Sequence, residues 1–316
     1  MTVKKLNLPF TGIRSFGRTP IVTNLDELDA DIAVYGMPFD LGTQYRAGAR
    51  FGPSGIREGS CLCQFSPHTS YDHDDGTTYF GPQWKIVDCG DVDMLHGDVD
   101  ACFANIRQMV RKIVSRGAIP FGLGGDHAVT IPVLQALNDI GPFAIVQIDA
   151  HLDFVNDVAG QKNGQGSPMR RASEMGYIQG MAQLGIRGTG SSSVSDFADA
   201  KAYGSVILSV EQIRTTGIAE TLRRIPASAN YYITIDIDGM DASVAPGTGT
   251  PSPGGFYYPE IRKILKGIAE KGNIIGCDLV EVAPSYDHSE ITTQLAAMIL
   301  RDLMAFILKR KERAGA

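Results

Sequence analysis

The run Pro142-Phe143-Ala144-Ile145-Val146-Gln147-Ile148 leads directly into Asp149-Ala150-His151-Leu152-Asp153. A short, largely apolar run of this kind reads as a buried strand, and at a strand's end successive side chains alternate between faces. On that reading Asp149, His151 and Asp153 share one face, so two carboxylates and an imidazole converge on a small volume. A second run, Tyr231-Tyr232-Ile233-Thr234-Ile235-Asp236-Ile237-Asp238, repeats the pattern with Asp236 and Asp238. Buried carboxylates without partners are costly, so clusters of them at strand ends call for cations. A metal site accounts for both runs.

Outward from this stretch, β-branched runs alternate with amphipathic ones. Strands are predicted over Asp31–Met37, Ile119–Leu123, Phe143–Asp149, Met181–Ile186, Ser205–Ser209, Tyr231–Asp236 and Asn273–Val280. Helices are predicted over Gly55–Gln64, Val99–Arg116, Thr130–Asn138, Ala219–Arg224, Tyr258–Lys271 and Thr292–Lys311. In Val99–Arg116 the residues Phe103, Ile106, Val110, Ile113 and Val114 make one apolar stripe. Such alternation predicts a three-layer α/β/α fold with a mostly parallel central sheet. No linker-like change of composition, repeat or low-complexity tract interrupts it, so residues 1–316 are expected to form one domain. Loops rich in Gly, Pro and Ser are expected at 42–53, 156–168, 188–196 and 238–255. In open α/β sheets ligands bind outside the carboxyl ends of the strands. Gly124–His127, Asp149–Asp153, Asp236–Asp238 and Glu281 all fall at such ends, on four different strands.

The chain of 316 residues is 43% hydrophobic and 20% charged, an ordinary globular composition. A net charge of −6 and a pI near 5.5 argue against nucleic-acid or anionic-membrane partners. The five cysteines, Cys61, Cys63, Cys89, Cys102 and Cys277, are odd in number and scattered. They fit a reducing, cytoplasmic setting better than a disulfide framework or a zinc site. Lys4 and Lys5 precede no apolar segment, so no secretory signal is read there, and no run is expected to approach the ~18 apolar residues of a membrane helix.

Gly122-Leu123-Gly124-Gly125-Asp126-His127 follows a strand and opens a helix, yet it has neither the GxGxxG spacing nor the lysine of a phosphate loop. Alone, His127 reads as a structural histidine; beside two carboxylate-rich strand ends it reads as a ligand. Asp126 suits a helix N-cap or a partner behind the ligands. Asp241 serves equally well as a third ligand or a turn former. Glu281, ending a buried run at the same sheet edge, suits substrate binding. Two histidines and four aspartates fit two ions better than one, and oxygen dominance without thiolate favours Mn²⁺, with Ni²⁺ or Co²⁺ as alternatives. Two such ions share a water and make it a hydroxide near neutral pH, so hydrolysis at an electrophilic carbon or phosphorus is the expected chemistry.

Over nearly its whole length the chain resembles the arginase/agmatinase ureohydrolases. The matching stretches are Arg46–Arg57, Gly124–His127, Asp149–Asp153, Asp236–Asp241, Ala245–Pro251 and Glu281–Asp287, in that order. The Ala245-Pro246-Gly247-Thr248-Gly249-Thr250 loop resembles the agmatinase branch. The resemblance implies a binuclear manganese site, a small guanidino substrate cleaved to urea and an amine, and a homo-oligomer, commonly a trimer or hexamer. It places His127, Asp149, Asp153 and Asp236 around one ion, Asp149 and Asp236 bridging to the second, and His151 with Asp238 completing the set. Asp153 would also orient the hydroxide, and Glu281 would hold the guanidinium group.

Two departures stand out. Gln165 occupies the place where the family usually has a loop histidine, and glutamine does not shuttle protons at neutral pH. Leu152 and Phe154 stand where many members carry Thr or Ser. These leave open an alkylguanidine, biguanide or formimino substrate, and a catalytically silent partner subunit in a hetero-oligomer with a paralogue. A binuclear phosphoesterase is the remaining class; Asp91 and Asp93 resemble part of its motif, but its Asn-His dipeptide is missing.

Overall fold

Strands form here where β-branched and aromatic residues cluster between glycine-bearing turns, and eight of them join in one sheet whose pairings are all parallel. The computed structural model describes residues 8–315 apart from Gln64, Pro67, Thr69 and Ser191, so Lys4, Lys5 and the end of the helix expected at Gln64 lie outside the described residues. In chain order the elements begin with β1 (Ile32–Gly36), α1 (Gly52–Gly59), a two-stranded hairpin of β2 (Tyr71–Asp72) and β3 (Thr77–Thr78), β4 (Ile86–Asp91) and α2 (Val99–Ser115). There follow β5 (Ile119–Leu123), α3 (Thr130–Ala136), β6 (Phe143–Ile148), α4 (Pro168–Ser173), β7 (Ile178–Leu184), α5 (Val194–Tyr203) and β8 (Val206–Leu208). The chain closes with α6 (Val210–Thr216), α7 (Ile218–Arg224), β9 (Asn230–Asp236), α8 (Tyr258–Lys271), β10 (Asn273–Val280) and α9 (Ile291–Gly315).

Sheet order is β4-β1-β5-β10-β9-β6-β7-β8. The four strands that carry candidate ligands, β5, β10, β9 and β6, are therefore neighbours at its centre. Alternate residues of each strand supply two separate cores: Ile32 and Val34 pack with α8 and α9 on one face, Ala33 and Tyr35 with α2 and α3 on the other. Two buried faces explain why these strands read as continuous apolar runs.

The structure corrects several expectations. β4 was not anticipated, nor were α4, α5 and α6; α5 begins at Val194, inside the expected 188–196 loop. The last helix, α9, has a segment of mean hydropathy 1.5 and is long and apolar enough to cross a membrane by length and composition. That overturns the expectation that no run approaches such a length. Within the fold 72% of that segment is buried, and Leu300, Leu303 and Met304 belong to the core. Its apolarity is thus used against α1 and α8.

Candidate metal centre

Beyond Leu123 the chain crosses the sheet edge through Gly124 and Gly125 and enters a single helical turn, His127–Val129. Gly125 is obligatory there, because a Cβ would sit 1.8 Å from the carbonyl oxygen of Phe39. Asp126 caps the turn, accepting the Ala128 N–H at 3.0 Å, while its other oxygen accepts the Gly42 N–H at 2.7 Å. Burial pushes its carboxyl up to about 7. His127 points Nε2 at Thr234 Oγ1, 2.9 Å away on β9, which leaves Nδ1 facing the strand ends.

Around Nδ1 lie carboxylate oxygens of Asp153 at 2.7 Å, Asp149 at 3.2 Å and Asp236 at 3.5 Å. These are ion-pair distances without hydrogen-bond direction, and the nitrogen makes no hydrogen bond. A second group gathers at His151, whose Nδ1 is 3.0 Å from Asp238 and 3.6 Å from Asp149. Ligand atoms of His127, Asp149 and Asp236, and of Asp149, His151 and Asp238, each lie within 4.8 Å of one another, a spacing at which either trio could hold an ion. Asp149 belongs to both, offering Oδ2 to one and Oδ1 to the other. Asp236, expected to be shared as well, belongs only to the trio of His127 and Asp149, and its Oδ1 accepts the Asp238 N–H at 2.8 Å.

The convergence does not arise from strand pleating. Pairing of β6 stops at Ile148, and the chain then turns, with Asp153 in the left-handed region at φ 53°. Likewise Ile237–Gly239 is a helical turn rather than strand. Asp241 accepts the N–H groups of Ser243, Gly254 and Gly255 and is a turn former. Asp91 pairs with Arg57 at the far edge of the sheet, away from this cluster.

Glu281 follows β10 with φ 64°, and its Oε1 accepts the His127 N–H at 2.9 Å. Burial, then the nearby Asp126, pushes its carboxyl well above the ordinary range. It lines a cleft of about 560 Å³ together with His151, Asp153, Asp236, Gln165 and Gln44. The backbone N–H of Gln165 faces the Gly42 carbonyl at 3.4 Å, bringing the two glutamine-bearing loops together. Gln44 was not singled out from the sequence, nor was Arg187, which also lines the cleft. The Arg187 guanidinium donates to carbonyls of Pro253, Gly185, Asp238 and Ser252 and so fastens the 238–255 loop.

Asp149, Asp153, Asp236, Asp238 and Glu281 are all buried, facing two imidazoles. Burial raises Asp153 to about 6, helped by the charge of Asp149. Burial also opposes charge on Asp149, but the facing His127 and His151 rings hold it below the ordinary range. On His127 and His151 burial is overcome by the surrounding carboxylates, which lift both rings well above theirs. Such a site demands positive charge. Imidazole nitrogens and carboxylate oxygens with no thiolate suit hard or borderline divalent ions, and the orphaned Nδ1 of His127, with Nε2 tied to Thr234, matches a ligand histidine held by a partner behind it.

Comparison with known proteins agrees. The arginase family model matches residues 30–305. The agmatinase of Bacillus subtilis (strain 168) is 36% identical, with 93% of this chain and 97% of that protein covered. The human mitochondrial guanidino acid hydrolase is 36% identical over 94% of this chain and 84% of its own length. The structure of proclavaminate amidino hydrolase from Streptomyces clavuligerus superposes with a TM-score of 0.85 at 30% identity, covering 96% of this chain and 99% of that one. The chain belongs to the arginase family, in its agmatinase-like ureohydrolase branch. It is an enzyme of the class that cleaves guanidino C–N bonds, a class in which metal dependence is general.

Proposed function

We propose that the chain hydrolyses an agmatine-like guanidino compound to urea and an amine, using two divalent ions held by His127, Asp149, His151, Asp153, Asp236 and Asp238. The observation that carries this is the meeting of two histidines and three buried aspartates in two trios that share Asp149, with Asp153 beside His127 and with His151, Asp153 and Asp236 on the wall of one cleft. Mn²⁺ fits the oxygen-rich donors, with Ni²⁺ or Co²⁺ as alternatives. When bound, the ions supply an activated water and offset charge at the reacting centre.

The chain's own groups do the rest. Asp153, on the cleft wall, orients the attacking water and accepts its proton at a carboxylate oxygen. Glu281 presents paired oxygens to the paired N–H donors of the planar guanidinium group. Arg187 is the cleft's one arginine or lysine among the described residues, and it is committed to backbone carbonyls, which favours a substrate tail without a carboxylate. A second reading, supported by Gln165 in the cleft, is a substrate with a better leaving group than an alkylamine, such as a biguanide or formimino compound. A homo-oligomer, trimeric or hexameric, is proposed from the family resemblance. A reducing compartment such as the cytoplasm is proposed from five buried free cysteines.

The test is urea release from agmatine, other guanidino compounds and guanidinobutyrate after loading with Mn²⁺ or Ni²⁺, run alongside Glu281→Gln. The unmodified chain should release urea and prefer tails lacking a carboxylate; Glu281→Gln should lose turnover yet keep both ions. Loss of ions from that variant would place Glu281 among the ligands and sink its assigned role.

A further inference from the structure

Two fully buried glutamines take no part in the chemistry above. Gln147 on β6 and Gln183 on β7 pair in register, and both are 0% exposed, on the sheet face that also carries Ile145 and Met181. A buried amide is costly unless its oxygen and both N–H groups find partners. Here they all do. Ser205 donates its hydroxyl to Gln183 Oε1 at 2.8 Å. Gln183 Nε2 donates to Gln147 Oε1 at 2.7 Å and to the Leu152 carbonyl at 2.6 Å. Gln147 Nε2 in turn donates to Asp149 Oδ2 at 2.6 Å and to the His151 carbonyl at 3.3 Å.

The chain of bonds has a direction. The two backbone carbonyls can only accept, so each amide must turn its nitrogen toward the 149–153 turn, and the pair then fits head to tail. Three of the four donated N–H bonds end on that turn, at Asp149, His151 and Leu152. Asp149 is the carboxylate that both trios share, so its rotation about Cα–Cβ moves both at once.

We propose that Gln147 and Gln183, oriented by Ser205, are positioning residues that hold the Asp149–Asp153 turn in its ion-accepting shape. This rests on the metal reading above. Neither glutamine touches ion or substrate; each acts through Asp149 or through the backbone. Partners of this kind behind a ligand are typically worth about 10–100-fold in metal affinity.

The experiment is Mn²⁺ affinity by chelator competition on the full chain, with Gln147→Met, Gln183→Met, the double variant and Ser205→Ala, together with the KM of each. Both Met variants should weaken Mn²⁺ by ~10–100-fold while KM stays unchanged, because Glu281 is untouched. The double variant should lose less than the two single losses combined, since the Gln183–Gln147 bond is common to both while Gln183 keeps its own bond to Leu152. A merely structural role would lower Tm but leave the affinity of the folded protein as it was. Ser205→Ala removes only an orienting hydroxyl, so it should fold and show a smaller loss of the same sign. If the unmodified chain takes up two ions and every variant binds them equally well, the positioning role is overturned. If the unmodified chain takes up none, the metal reading falls and this inference falls with it.

Discussion

Asp153 and Glu281 hold left-handed backbone conformations, φ 53° and 64°, that non-glycine residues rarely adopt. Each costs on the order of 1–3 kcal/mol and persists because neighbours fix it. The Asp153 carbonyl accepts the N–H groups of Met169 and Arg170, and the Glu281 N–H donates to the Gly125 carbonyl. Both carboxylates proposed to act on water and substrate thus carry backbone strain. Gln165 lines the same cleft, and the role proposed for it concerns departure of the amine. An alkylamine leaves poorly without a proton, and general-acid help typically contributes ~10²–10⁴-fold. Agmatine should therefore show a lower kcat/KM than a guanidino compound with a better leaving group, and Gln165→His should raise the agmatine value. Agmatine emerging as the best substrate of the unmodified chain would refute this role.

Among the elements, those built on long apolar periods were legible. β5, α8 and β10 begin and end where the sequence places them, and the stripe of α2 is buried at Phe103, Ile106, Val110 and Ile113. β4 was hidden because Asp88, Gly90 and Asp91 break its apolar run, and their reason lies across the fold. Arg57 on α1 pairs with Asp88 and Asp91, and Asp88 also accepts the Phe16 N–H. The stretch Arg46–Arg57 is therefore in part a packing motif. Arg57→Ala leaves Asp88 buried without its partner, a loss on the order of 3–5 kcal/mol. Urea denaturation should show it, with ion content unchanged. The candidate ligand set was legible as residue types, but the cause of its convergence was not. Alternation along a strand suggested one shared face, whereas turns after Ile148 and Asp236 bring the side chains together. Gln147 and Gln183 were visible only as polar interruptions, with nothing local to mark their partners.

At the scale of the molecule, the buried carboxylates make stability depend on both pH and ions. In metal-free protein Asp153 titrates near 6, above its ordinary ~3.9, because burial and Asp149 disfavour its charge. A raised folded value means the native state binds more protons than the unfolded chain across that window, so stability is present below about pH 4 and falls as pH rises to about 6. Asp236 and Glu281 are raised by burial in the same sense. Asp149 is shifted the other way, but its contribution is already complete above its unfolded value. Bound ions replace those protons, so the loaded protein should gain stability over the same range. Tm measured with and without chelator should diverge from pH 4 to pH 6; parallel curves would refute the account.

The hydrogen bond from the His127 N–H to Glu281 joins residues 154 apart, across the strand pair β5–β10. Neighbouring parallel strands of such sequence separation close late, since the chain must lose loop entropy before their contacts repay it. The cleft should therefore be completed late in folding. A nascent chain holding only β5 and β6 carries Gly124–His127 and Asp149–Asp153 but has no wall on which to seat a guanidinium group. Competence arrives at once, when β10 slots between β9, just made, and β5, made half a chain earlier.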